Sequence, residues 1–282
     1  LFHQIFLSLN WIVTNSIIMN LDELSAFAKE GLLVGASLTY RKLMGADLRG
    51  ANLSGADLFQ ADLSQMDLTN NLFVDADLSE ANFSWAQLIA ADLTHATAIR
   101  TNFSGADLSH ARLVKANFSL ADLSWARLEC ADLTGCCLSR ATAKKANFTN
   151  AIVSASSLRE ANLQYSKLTG AEFKESNIFR TNLEHCWLCG ADLKGANMIN
   201  ANLRFANLTG ADLSNAVLKD ADLTSACLKN AKLTGAMLGK AILYKTNLEG
   251  ADLTLASLKD AIFDSIPKEI ALNSNPLNNM KS

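Results

Sequence analysis

From Ala36 onward the chain cycles through small apolar, polar, large apolar, polar and polar residues with a period of five, and the register holds without insertion to Asp264-Ser265. The third position is Leu or Phe in 41 of 46 units, and its exceptions (Ala98, Ala143, Val153, Ile178, Met198) are also apolar, so it faces a core. The first position is Ala in 35 of 46 and otherwise mostly Ser, Thr or Cys, which predicts a tight interior slot. The second is Asp or Asn in 25 of 46, the fourth is often Ser or Thr, and the fifth holds most of the glycines, so these three look outward. A period of five fits neither the 3.6 of a helix nor the two of a long strand. Positions one to three read in-out-in, a three-residue strand, and positions four and five read as a turn. Repeated corners with such short sides predict an all-β solenoid whose coils stack and hydrogen-bond to one another.

Tandem A(D/N)Lxx units, as in Ala46-Asp47-Leu48, Ala51-Asn52-Leu53 and Ala191-Asp192-Leu193, resemble the pentapeptide-repeat proteins over about four-fifths of the chain. The resemblance implies a right-handed quadrilateral β-helix with four units per coil, and therefore about eleven coils. Arg41, Met66 and Asn71 replace the small first residue and Leu72 the usual second one, which predicts a local bulge or widened coil near 66–72.

Four segments follow. Residues 36–265 form the β-helix. Residues 19–35 place Leu21, Leu24, Phe27 and Ala28 on one helical face behind Asn20 as cap, with Asp22 and Glu23 in the first turn, and predict a short helix over the first coil. Residues 266–282 are expected to form a C-terminal cap and a frayed tail. Residues 1–18 carry no charge and eleven large apolar side chains. They read as an extension absent from a mature protein starting near Met19, with a membrane anchor or an export signal as the alternatives.

The chemistry of the chain narrows its function by exclusion. No GxGxxG or GxxxxGK(S/T) loop is present, the four histidines are scattered without HExxH, and no cofactor or metal is expected. The recurrent Asp at second positions is expected to hydrogen-bond backbone at each corner rather than to act as a catalytic acid. Six N-x-(S/T) matches arise from the same repeat grammar. Six cysteines with no pair placed to stack predict free thiols and a cytoplasmic, reducing compartment, with a membrane-anchored or exported protein as the alternative if residues 1–18 are native. No enzyme is expected.

Function is therefore sought on the outer columns, formed by residues twenty apart. One fifth-position column carries Trp85, Trp125, Tyr165, His185 and Phe205, with Trp187 on the adjoining side. Aromatic rings stacking along their own column would account for it, and so would a stripe that binds a partner protein. The alternative is a mimic of duplex DNA that binds a topoisomerase such as DNA gyrase, as some pentapeptide-repeat proteins do. That reading wants an acidic rod, whereas residues 36–265 hold 24 acidic and 22 basic side chains, and Lys174, Lys194 and Lys232 interrupt the acidic row Asp132, Glu172, Asp192, Asp212 and Asp252. Direct nucleic-acid binding is not expected. The layout of a short N-terminal helix and an uninterrupted repeat also resembles cyanobacterial pentapeptide-repeat regulators, including the heterocyst-differentiation type. The expectation is a non-enzymatic, regulatory protein-binding rod, with a purely structural spacer as the remaining alternative.

Overall fold

The computed structural model of this chain describes residues 20–264 and separates into two compact units, 1–137 and 138–282. The expected apolar extension and the expected C-terminal cap and tail lie outside the described residues.

In both units every paired residue meets its partner twenty positions on, in parallel: Asn82 with Asn102 in the first unit, Asn182 with Asn202 in the second. Four turns therefore close each coil. The sides are shorter than the expected three-residue strands, because regular pairing is confined to one bridge at each second position. The reason is visible in the destination of each backbone N–H. In the unit 81–85, Ala81 donates back across its own turn to Leu78 at 3.0 Å, and Asn82 donates to Ala61 of the preceding coil at 2.8 Å. Phe83 and Trp85 donate to Asn102 and Ser104 of the following coil at 2.7 and 2.9 Å. The fourth N–H, of Ser84, has no backbone carbonyl in reach and is taken by Oδ1 of Asn82 at 3.1 Å. The unit 181–185 repeats the scheme, with Asn182 Oδ1 accepting from the Glu184 N–H at 3.1 Å. The Asp/Asn preference at second positions is thus a backbone requirement: the side chain satisfies the one donor that the coil leaves over.

The fifth residue turns the corner in the left-handed region whether or not it is glycine: Trp85 has φ 60°, Ala90 54° and His185 59°. The interior is filled by the third-position side chains, nearly all fully buried, and by the small first residues between them. In the first unit Phe83 and Phe103 stack in the core at 5.0 Å between ring centres. Where Thr or Cys stands in the small slot, and at Ser166 and Ser176, the polar atom is answered by a carbonyl 23 residues earlier, as in Thr181 to Leu158 at 2.6 Å and Ser176 to Val153 at 2.7 Å.

Helix α1, Leu21–Lys29, is shorter than the expected 19–35. Asn20 and Glu23 form a reciprocal capping box, each side chain accepting the other's N–H. The helix ends because Gly31 turns left-handed at φ 71°, so that Gly31 and Leu32 donate back to Ala28 and Phe27. Leu24 and Ala28 are buried, Ser25 Oγ accepts from the Asp47 N–H at 2.9 Å, and Lys29 meets Asp47 at 3.3 Å.

The expected widening near 66–72 is met at Met66 and Asp67, on the edge facing the preceding coil, and corrected at Asn71 and Leu72. Leu72 bridges regularly to Asn52 and to Asp92, and Asp67 to Gln87. What is missing is the pairing of residues 45–48 with 64–67, whereas the Asp47 N–H, which the repeat aims at the preceding turn of chain, is taken by Ser25 of the helix. Met66 occupies the slot that Ala fills elsewhere and is buried, and a cleft of about 430 Å³ opens beside it, lined by Met44, Arg49 and Asp67 among others. Asn71 is fully buried without spreading the coil, because its Oδ1 accepts from the Gly50 N–H at 2.7 Å.

Candidate protein-binding face

All five aromatic residues of the expected column sit at fifth positions with φ between 57° and 63°, a conformation that projects their side chains from the corner. In the second unit, Tyr165, His185 and Phe205 form a ladder: the Tyr165 and His185 ring centres are 4.9 Å apart at 5°, those of His185 and Phe205 4.8 Å apart at 7°. This is the spacing of stacked coils, so the rings lie face to face and present their edges outward. Stacking along the column is therefore present, but it does not hide the rings: Tyr165 stays 51% and Phe205 44% exposed. His185, held between them, is half-buried. Gln164 donates to Glu184 at 2.8 Å beside the ladder, and the Arg204 guanidinium lies 5.6 Å from the Phe205 ring centre and 3.3 Å from Asp222. Trp187, on the next side of the coil, is 58% exposed.

Trp85 and Trp125 belong to the first unit and are 64% and 57% exposed. Trp85 lies flat over Gly105, the residue one coil on: a Cβ built there would sit 2.5 Å from the indole. Gly105 thus makes room for the ring. None of Trp85, Trp125 and Tyr165 is shielded by its own chain.

The rest of the expected chemistry can be placed as well. Cys136 and Cys186 face inward, donate to Leu113 and Leu163, and are pushed up to about 12 by burial. Cys186-Trp187-Leu188-Cys189 has a CxxC spacing. Its two thiols do not converge, since Cys186 is buried in the small slot while Cys189 sits at a turn position, its Sγ 3.9 Å from the Asn207 carbonyl. All six cysteines are free, and among the described residues no group of three or more His, Cys, Asp or Glu gathers to hold a metal. Among those residues no helix is long and apolar enough to cross a membrane. The acidic row of the second unit is interleaved with cations: Lys174 meets Glu172 and Asp192 at 3.2 and 3.3 Å, and Lys194 meets Asp212 at 3.2 Å.

The sequence matches the family described as Pentapeptide repeats over 33–154 and 156–265. None of the curated proteins compared matches it. Among solved structures it is similar to HetL, a pentapeptide repeat protein involved in heterocyst differentiation regulation from the cyanobacterium Nostoc sp. strain PCC 7120, at 30% identity over 87% of this chain and 97% of HetL, with a TM-score of 0.54. A pentapeptide repeat protein of the Arabidopsis thaliana thylakoid lumen is 33% identical over 35% of this chain and 68% of its own, with a TM-score of 0.34. QnrB1, a plasmid-mediated fluoroquinolone resistance protein, is 18% identical over 81% of this chain and 91% of its own, with a TM-score of 0.38. The five-residue register, the twenty-residue coil, the family match and the likeness to HetL agree: the chain belongs to the pentapeptide-repeat family, whose fold is a right-handed β-helix.

Proposed function

We infer that this chain is a non-enzymatic, regulatory protein-binding module of the reducing cytoplasm, and that the second unit engages a partner through Tyr165, His185 and Phe205. The observation that carries this reading is the exposed, pre-stacked ladder. Large aromatic side chains are the residues that most often dominate interface energetics, and rings already held by their neighbours lose little further freedom on binding. Trp187, on the adjoining side, extends the apolar surface, and Trp85 and Trp125 supply a separate one on the first unit. A regulatory role is supported by the likeness to HetL, and the cytoplasmic setting by six free thiols. Helix α1 acts as a cap: its buried Leu24 and its bonds to Asp47 cover coil edges that would otherwise pair with another chain.

The test is capture from a lysate of the source organism by the full chain and by two variants. A partner retained by the native protein and lost by Tyr165→Ala/His185→Ala/Phe205→Ala, with both equally folded, is the expected result. The loss should be at least about thirtyfold in affinity, as for a truncated hot spot. A Trp85→Ala/Trp125→Ala variant reports separately on the first unit. Equal capture by the native chain and the ladder variant overturns the reading.

A further inference from the structure

One coil corner away from the aromatic ladder, the second unit carries a concentration of arginine that its own carboxylates do not neutralise. Arg159 and Arg180 both lie over the ring of Phe179, their Cζ atoms 4.9 and 5.0 Å from its centre, so the two charge centres are within about 10 Å of each other. Arg140 donates to Glu160 at 2.8 Å, and Arg159 reaches the same carboxylate at 3.5 Å. Two guanidiniums therefore share one carboxylate, and Arg180 adds a third positive charge beside them. Arg180 makes no ion pair among the described residues and is exposed, and Arg159 keeps 54% of its side chain in solvent.

Two features make this corner more than a solvated charge. Contact with an aromatic face holds a guanidinium in place while leaving its N–H edge free for a planar acceptor. Arg180 and His185 are also the two corners that bound one side of the same coil, whose second positions are uncharged over three coils while Glu184 and Arg204 stand at its fourth positions beside the ladder. Its second positions, Asn162, Asn182 and Asn202, are half-buried, and Asn202 Nδ2 donates to Asn182 Oδ1 at 3.1 Å. The corners are five positions apart in the chain, which puts them no more than about 18 Å apart.

We propose that this side, with Arg159, Phe179 and Arg180 on one edge and Tyr165, His185 and Phe205 on the other, binds an extended acidic segment of a protein partner. The segment's carboxylates meet the two guanidiniums, its main chain crosses the asparagine floor, and an apolar side chain reaches the ring edges. Carboxylate recognition follows from the charge excess, because a carboxylate offers the two parallel acceptors that a guanidinium fork fits. The proposal rests on the protein-binding reading above and adds the chemistry of the partner. Glu160 acts as the internal competitor: it holds Arg140 and Arg159, which in turn keep its carboxyl below the usual range.

The experiment is a titration of the full chain with a glutamate hexapeptide, read at the arginine Nε–Hε resonances, beside a glutamine hexapeptide and inorganic phosphate. The glutamate peptide should shift the Arg159 and Arg180 signals saturably, and the glutamine peptide should not. Arg159→Gln/Arg180→Gln should weaken binding at least fivefold with the fold unchanged, since both side chains are exposed. Glu160→Gln should tighten it, by releasing Arg159 from its own carboxylate. No saturable shift, an equal shift at Arg49 and Arg112 in the first unit, or a response to phosphate without one to the peptide would each overturn the proposal. The two readings fail separately: partner capture that survives loss of the ladder removes the aromatic site, whereas the peptide titration decides the arginine corner whichever way capture falls.

Discussion

A left-handed corner every five residues makes the fifth position the most constrained in the repeat. An L residue there pays a steric cost of about 1 kcal/mol that glycine does not, and a β-branched side chain pays more. Gly190 isolates this effect, because it has φ 63° and a Cβ placed on it would meet nothing within 4 Å. Gly190→Val is therefore expected to lower stability in urea by about 1–2 kcal/mol through backbone strain alone, and an unchanged midpoint would contradict that. Thiol burial gives a second expectation at this scale. Cys130 is exposed, whereas Cys136 and Cys186 are buried, hydrogen-bonded and pushed up to about 12. Iodoacetamide should thus label Cys130 in the native chain and reach Cys136 and Cys186 only on unfolding, which mass spectrometry of the digested protein reads directly. The inward and outward roles of these residues were legible in the sequence, since period five separates them. The left-handed corner was not, because Trp85, Ala90 and His185 share it with glycine and have no side-chain chemistry in common to announce it.

At the level of elements, helix α1 and the coil edge beside it illustrate what a repeat pattern can and cannot specify. Asn20, the acidic first turn and the spacing of Leu24 and Ala28 predict the helix from local rules, and Gly31 explains why it stops early. The gap between 45–48 and 64–67 was harder to place. Met66 and Asn71 stand out as misfits, but which of them leaves a coil edge open depends on the Asn71 side chain accepting the Gly50 N–H, a contact between residues 21 positions apart. The candidate face was legible in the same partial way. Column arithmetic brought Tyr165, His185 and Phe205 together, but Arg159 and Arg180 occupy fourth and fifth positions of successive coils and meet only because both turn onto Phe179. If the helix closes the coil edge, Leu24→Asp should both destabilise and expose it, since it places a carboxylate where the native side chain is fully buried. A loss of at least about 2 kcal/mol is expected, together with concentration-dependent association in sedimentation velocity. A variant that stays monomeric and equally stable would show that α1 is an appendage.

The molecule as a whole repeats one carboxylate arrangement many times, so small effects at single corners accumulate into a property of the chain. Four of these aspartates sit below the ordinary carboxylate value. Asp62 and Asp67 are held down chiefly by hydrogen bonds from Ser64 and Thr69, and Asp252 by Thr254. For Asp212, burial pushes upward, but Ser214 and Lys194 together outweigh it. A carboxyl whose folded pKa lies below its unfolded one stabilises the fold fully above the unfolded value of about 4, and that contribution disappears as pH falls through the lower folded value. Stability should thus be flat from neutral pH to about pH 5 and decline below about pH 4, as protonation weakens the corner bonds of both units. Replacing Asp62, Asp67, Asp212 and Asp252 by Asn keeps an Oδ1 for the fourth-position N–H, as Asn82 and Asn182 already do, and removes only the charge. Urea midpoints measured between pH 6 and pH 3 should therefore fall less steeply for the fourfold variant than for the native chain. Added salt should blunt the part of the slope that comes from Lys194 and Lys232 while leaving the hydroxyl bonds untouched. Parallel slopes for the two proteins would mean that the corner carboxylates serve as acceptors whose charge is incidental, and that acid acts on the fold elsewhere.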